Sequence, residues 1–340
     1  MHYLNDLAFR GVAGFTAWDS GPMKYAIASL VLLVSTPVLA AQVQVVESYD
    51  AAVGELPEGV AVAPNGDIYV TLAGTGEIRR IDRKTKVGST HAWINPGGGF
   101  LLGMAFDGDE LYAALASFDP ATSGIWHVDD DGTTVRVVAF GGDQFPNDLT
   151  FDEDGNMYVT ESISGSVYKV DAGSNVPQLW VQDQLLVGDV EASPVPFPIG
   201  VNGIAYDEET GTVLVANSQV PALIEIEDNC GQAGVLSVIA AGEHLRGADG
   251  IAIDKRGDVM LVSNFHSSVL RIDRDSGAAT TIADASDGLM FPSTAAFGQY
   301  GPDKKSLFVV NFGFGAGPDA PVSLLKIEVG QKSSKHPAGN

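Results

Sequence analysis

The pattern of apolar and polar positions predicts strands almost everywhere. Short Val- and Ile-rich runs, alternating or continuous, are closed by Asp-Gly or Asn-Gly turns, and this is the signature of β-hairpins. One unit shows it plainly. Asn147–Asp152 reads as a strand, Glu153-Asp154-Gly155-Asn156 as a turn, Met157–Glu161 as a return strand and Ser166–Asp171 as a third. Further on, Gly250–Asp254, a Lys255-Arg256-Gly257-Asp258 turn, Val259–Asn264 and Ser268–Asp273 repeat it. No stretch after residue 40 carries a long helical period, so a doubly wound α/β fold is disfavoured.

Six copies of the unit are aligned by Gly59, Gly103, Asp148, Gly203, Gly250 and Thr294, at steps of 44, 45, 55, 47 and 44 residues. Such a period with several strands per unit predicts an all-β fold, a six-bladed β-propeller of four-stranded blades around a central channel. A propeller must close its ring. Val43–Tyr49, ahead of the first copy, is expected to be the outer strand of the last blade, Phe291–Val329, which would remove an open edge; the alternative is a frayed tail.

The residue before each alignment point carries the chemistry. It is Glu58, Asn147, Asn202 and Asp249 in copies 1, 3, 4 and 5, and Leu102 and Ser293 in copies 2 and 6. Ring symmetry would gather the four polar side chains on the axis. Two carboxylates and two amide carbonyls make an all-oxygen site, which favours Ca²⁺, with Mg²⁺, Mn²⁺ or Zn²⁺ as substitutes. Asp249 is the first candidate for general base, acting on a water. The ends of the second strands, Thr71, Glu161, Asn217, Asn264 and Asn311, are expected to form a polar shell around the four, and Glu161 could be a proton shuttle. Phe145, Phe197, Phe265, His266 and Phe291 are candidate substrate contacts near the mouth, where Phe312 and Phe314 also recur. The insertion Leu185–Ile199, rich in proline, leads into the strand that bears Asn202 and reads as a lid or a stiff connector.

Composition narrows the function. The formal net charge of the 340-residue chain is −24, which argues against nucleic acid and anionic membrane surfaces as partners. Residues 1–40 read as an upstream extension followed by a secretory leader: Met23-Lys24, an apolar run Tyr25–Val34, and small residues before Ala41. The expected location is therefore periplasmic or secreted, with no membrane attachment after cleavage. Residues 41–330 are expected to form the propeller and 331–340 a disordered tail. The single cysteine, Cys230, excludes an intramolecular disulfide. There is no Gly-x-Ser-x-Gly elbow, no paired histidine motif and no organic cofactor site. Asp129-Asp130-Asp131-Gly132 reads as an acidic turn, and the glycine-rich Gly313–Gly317 as a loop of blade 6.

The ordered set Glu58-Gly59, Asn147-Asp148, Asn202-Gly203 and Asp249-Gly250, with Asp254 and Gly257, resembles the senescence marker protein, gluconolactonase and luciferin-regenerating-enzyme family of six-bladed propellers. The likeness spans nearly all of residues 43–329. It implies one divalent metal in the channel, held by Glu58, Asn202 and Asp249, with Asn147 beside it against substrate or water. It also implies hydrolysis of lactones, the metal polarising the carbonyl. Sugar-lactone members carry an arginine two residues before the copy 3 asparagine; Phe145 stands there instead. That departure points to a more apolar lactone or ester. The expected function is thus a metal-dependent hydrolase of small-molecule lactones or related esters, acting as a monomer or weak dimer. The alternative is a non-catalytic binding propeller with a structural metal, or an NHL-like one that binds protein.

Overall fold

A computed structural model describes residues 43–192 and 195–330. The leader, the terminal tail and Pro194 of the insertion lie outside the described residues. The described residues form six four-stranded antiparallel sheets, and the helical segments among them are short 3₁₀ turns. Among the described residues no helix is long and apolar enough to cross a membrane.

The innermost strands are Pro57–Val62, Phe100–Asp107, Pro146–Phe151, Val201–Asp207, Ala248–Ile253 and Pro292–Phe297. The first and third of these are buried at every position, whereas the outermost strand of blade 3, Gln178–Gln182, is half to fully exposed. This gradient from axis to rim explains why inner strands read as continuous apolar runs and outer ones do not. The first strand, Val43–Ser48, pairs antiparallel with Ser323–Glu328 as the outer strand of blade 6. The ring is therefore closed by joining the start of the propeller to its end, as the strand pattern predicts, and the frayed-tail alternative falls.

Six apolar clusters hold the ring, one between each pair of neighbouring blades. Leu101, Met104 and Leu115 of blade 2 pack on Ile78 and Tyr69 of blade 1; Phe308 and Val310 of blade 6 pack on Val60 and Val70 of blade 1 to complete the circle. Each blade is thus stabilised by burial on both flanks, which makes unfolding of one blade alone unfavourable.

The channel narrows at a waist formed by the six alignment residues. Gly59, Gly103, Gly203 and Gly250 leave their neighbours almost no room. A Cβ on Gly203 would lie 2.8 Å from the Gly250 Cα and nearer still to the Asp249 carbonyl oxygen. In blade 3 the glycine is replaced by Asp148, whose carboxyl fills the waist against Gly103. It accepts from Leu149 N at 2.9 Å and from Ile204 N at 3.3 Å.

Candidate metal centre

A cavity of about 100 Å³ opens above the waist at the starts of the inner strands, and Glu58, Asn147, Asn202 and Asp249 all line it. Four residues scattered over the sequence are therefore brought to one place. All are buried, Glu58 and Asn147 at 5 % exposure and Asn202 and Asp249 at 6 %. In each inner strand the pairing with the second strand is interrupted at this point, between Pro57 and Val60, Pro146 and Leu149, Val201 and Ile204, and Ala248 and Ile251. The bulge re-aims these side chains toward the axis rather than into the blade.

Hydrogen bonds fix which atoms face the cavity. Asn147 Nδ2 donates to Ser162 Oγ at 3.0 Å, and Ser162 Oγ donates to the Val201 carbonyl at 2.7 Å. Asn202 Nδ2 likewise donates to Ser218 Oγ at 3.0 Å, and Ser218 Oγ to the Ala248 carbonyl at 2.6 Å. Each serine ties one axial asparagine to the residue that precedes the next axial residue. Because both amide nitrogens are engaged, the amide oxygens are the atoms left for the cavity. Asn264 Nδ2 donates to Asp249 Oδ2 at 3.1 Å.

The result is an excess of acceptors. Glu58 Oε2 and Asn202 Oδ1 are buried with no hydrogen-bond partner. A buried oxygen left without a donor is costly. Burial, and then the charges of Asp249 and Asp148, hold the Glu58 carboxyl well above its ordinary range. Burial, and then the charge of Asp148, does the same for Asp249, with the Asn264 hydrogen bond acting against it. Asp148 beneath them is pushed up to about 7 by burial, offset by its two backbone donors. Two carboxylates and unpartnered amide oxygen in one buried space are what a hard cation neutralises. The residues fit such an ion: Glu58, Asn202 and Asp249 as ligands and Asn147 beside them.

The walls are aromatic. Phe145, Phe197, Phe265 and Phe291 line the cavity, as the sequence suggests, together with Phe312 and Phe314. Phe100 lines it too and was not picked out by sequence reasoning, since it precedes Leu102 in a copy with no polar axial residue. The insertion contributes Phe197 and Ile199 to the wall, held by Asn217 Nδ2 on the Leu185 and Val187 carbonyls at 2.9 and 3.0 Å.

Other candidates lie elsewhere. Glu161 is not among the lining residues. Its carboxylate accepts from Phe145 N, Ile163 N and Ser164 N at 2.8, 3.0 and 2.9 Å and from the Ser164 hydroxyl. It staples the chain outside the cavity and has no acceptor site free to shuttle a proton. His266 is exposed, with Nε2 2.7 Å from the Glu243 carbonyl, and does not line the cavity. Of the expected polar shell only Asn264 touches an axial side chain; Asn311 instead holds the Met290 amide and the Gly288 carbonyl. Ser162 and Ser218, which do the orienting, were missed. Away from the channel, Glu110, His127 and Asp129 on blade 2 place ligand atoms within 4.8 Å of one another at a largely exposed position. Asp129–Gly132 is the expected acidic turn, with Gly132 N donating to the Asp129 carbonyl at 2.9 Å.

Fold and site together define a six-bladed propeller with a buried, oxygen-lined axial pocket. Solved structures share this architecture. Regucalcin of Agrobacterium tumefaciens, described as a calcium-binding protein, matches with a TM-score of 0.65 at 17 % identity, over 87 % of this chain and 96 % of that one. Luciferin-regenerating enzyme matches with a TM-score of 0.64 at 14 % identity, over 86 % of this chain and 97 % of that one. A gluconolactonase of Xanthomonas campestris matches with a TM-score of 0.62 at 17 % identity, over 85 % of this chain and 89 % of that one. No protein-family model and no curated protein matches the chain by sequence. At these identities the likeness establishes the fold, and the chemistry rests on this chain's own residues.

Proposed function

We propose that this protein is a calcium-dependent hydrolase of lactones or related esters. The observation that carries the reading is the pair of buried, unpartnered oxygens, Glu58 Oε2 and Asn202 Oδ1, in the same cavity as Asp249. The regucalcin and gluconolactonase likenesses support it. A hard divalent cation, when bound, supplies polarisation of an ester carbonyl and acidification of water. The rest is done by the protein. Asp249 accepts the proton of the attacking water. Water adds to the acyl carbon, the bond to the alkoxy oxygen breaks, and the proton held by Asp249 passes to that oxygen, giving acid and alcohol. Asn147, with its nitrogen fixed by Ser162, offers Oδ1 to position the water. The phenylalanine walls keep bulk solvent from the reacting centre.

A site of two carboxylates and neutral amides has modest charge, in keeping with the millimolar calcium met outside the cytoplasm and with the secretory leader read in the sequence. The experiment is calorimetric titration of the purified protein with Ca²⁺ beside turnover of a panel of lactones and aryl esters. Binding with turnover that Asp249→Ala and Asn147→Ala abolish supports the proposal. A protein that cleaves no member of the panel, with or without Ca²⁺, is not a hydrolase of this kind. Binding without turnover would favour the non-catalytic propeller.

A further inference from the structure

The cavity's walls are as informative as its floor. On one side Phe145 packs against Phe100 and Phe197, with ring centroids 6.5 and 5.3 Å apart. On the other, Phe291 touches Phe265, Phe312 and Phe314 at 5.5, 6.4 and 6.1 Å. The titratable side chains that line the cavity are Glu58 and Asp249, and no Lys, Arg or His is among them. With the two carboxylates already matched by a divalent cation, an anionic group on the ligand would find no Lys, Arg or His in the walls to pair with. An apolar ligand would meet phenylalanine side chains on both sides.

Phe291 is also conformationally unusual. Its φ is 42°, in the left-handed region that non-glycine residues seldom adopt, and it stands immediately before Pro292. Its amide donates at 3.1 Å to the hydroxyl of Ser267, itself at φ 46°. The other positive-φ non-glycine residues among those described, Lys86 and Cys230, sit in ordinary hairpin turns. Phe291 links blade 5 to blade 6 at the cavity wall. Strain retained there is consistent with a position selected for where it puts its ring.

We propose that the substrate is an uncharged lactone or ester bearing an aryl or bulky alkyl group, and that Phe291 is the residue that selects it. The inference rests on the hydrolase reading above and narrows it. The bulky group lies between the two phenylalanine walls while the carbonyl reaches the axial residues. Aldonolactones, which are polar throughout, and lactones carrying a carboxylate are poor substrates.

The test compares wild type, Phe291→Ala and Phe291→Gly on a phenyl-substituted valerolactone, the unsubstituted ring and a carboxylate-bearing analogue, with Nile red binding measured in parallel. Wild type should prefer the phenyl lactone, chiefly through KM. Both variants should lose about tenfold of that preference. Glycine adopts the left-handed conformation freely, so the Gly variant decides the matter if the Ala variant folds poorly. An unchanged preference, or a wild-type preference for the carboxylate-bearing ring, overturns the proposal. If wild type cleaves no lactone, the hydrolase reading fails by itself, and Nile red then decides the site: binding lost in the variants supports an apolar selector at Phe291, and binding unaffected or absent refutes it.

Discussion

Asp249→Asn separates the two roles assigned to the axial carboxylates, because it should stabilise the protein without metal while removing its response to metal. Asp249 and Glu58 are both buried, and burial raises the proton affinity of each. Placing an ionised carboxylate in such surroundings costs several kcal/mol per ion. Asparagine is nearly isosteric, and its Oδ1 can still accept from Asn264, so the substitution removes charge and little else. Allowing for the hydrogen bonds that Asp249 already receives, the expected gain is about 2 kcal/mol, or about 4 °C in Tm at this chain length. The sign with pH follows. A carboxyl whose folded pKa is raised destabilises the fold as pH climbs from its ordinary value of 3.8 through its folded value. The advantage of the variant in chelator should therefore be small in acid and widen as pH rises above 3.8. Added calcium reverses the comparison. At a hundredfold excess over its Kd, a ligand stabilises the folded state by about 2.7 kcal/mol, or about 5 °C here. Wild type should show that shift, and Asp249→Asn less than about 1 °C. The assay is thermal unfolding followed by circular dichroism, in EGTA and in calcium, from pH 4 to 8. A variant that melts below wild type in EGTA near neutral pH, or that keeps the calcium shift, would refute the reasoning.

Three further substitutions test the architecture around the site. Ser218→Ala removes the bridge between Asn202 and the Ala248 carbonyl, so it should weaken calcium binding about tenfold by calorimetry while the melting curve in EGTA stays cooperative. Gly203→Ala would drive a Cβ into the backbone of the neighbouring inner strand; urea unfolding should show a loss of about 3 kcal/mol or failure to express folded protein. Glu161→Gln should lower stability by about 1–2 kcal/mol by loosening the segment it staples, yet leave the pH profile of turnover unshifted; a displaced profile would restore Glu161 as a proton shuttle.

How far the sequence could be read depended on which periodicity carried the signal. The blade repeat is long and marked by turns, so the number of blades, the closing strand and the convergence of Glu58, Asn147, Asn202 and Asp249 were all legible. The supporting shell was not, because it depends on single-residue register. The residues that precede the axial positions pair with Leu72, Glu161, Asn217, Ser263 and Asn311 on the second strands. The expected shell of Thr71, Glu161, Asn217, Asn264 and Asn311 therefore mixes three registers. Successive strand residues point to opposite faces, so a slip of one place changes what a side chain meets. One place beyond the paired residue lie Ser162, Ser218 and Asn264, and these are the three that hold axial side chains.

The same register argument accounts for the lopsidedness of the site. One place beyond Asn311 the equivalent residue is Phe312, which lines the cavity, and the axial position of blade 6 is Ser293, whose hydroxyl donates to the Glu58 carbonyl at 2.6 Å instead of facing the axis as a ligand. In blade 2 the axial residue is Leu102 and in blade 1 the place beyond Leu72 is Ala73. Polar residues at both places thus occur in blades 3, 4 and 5; blade 1 keeps Glu58 on the axis with Ala73 beyond, and blades 2 and 6 pair Leu102 with Ala116 and Ser293 with Phe312. A polar arc over blades 3 to 5, completed by Glu58 of blade 1, arises from one repeat by substitution at two positions per blade. A reacting carbonyl drawn to that polar set would leave the rest of its molecule between the phenylalanine walls.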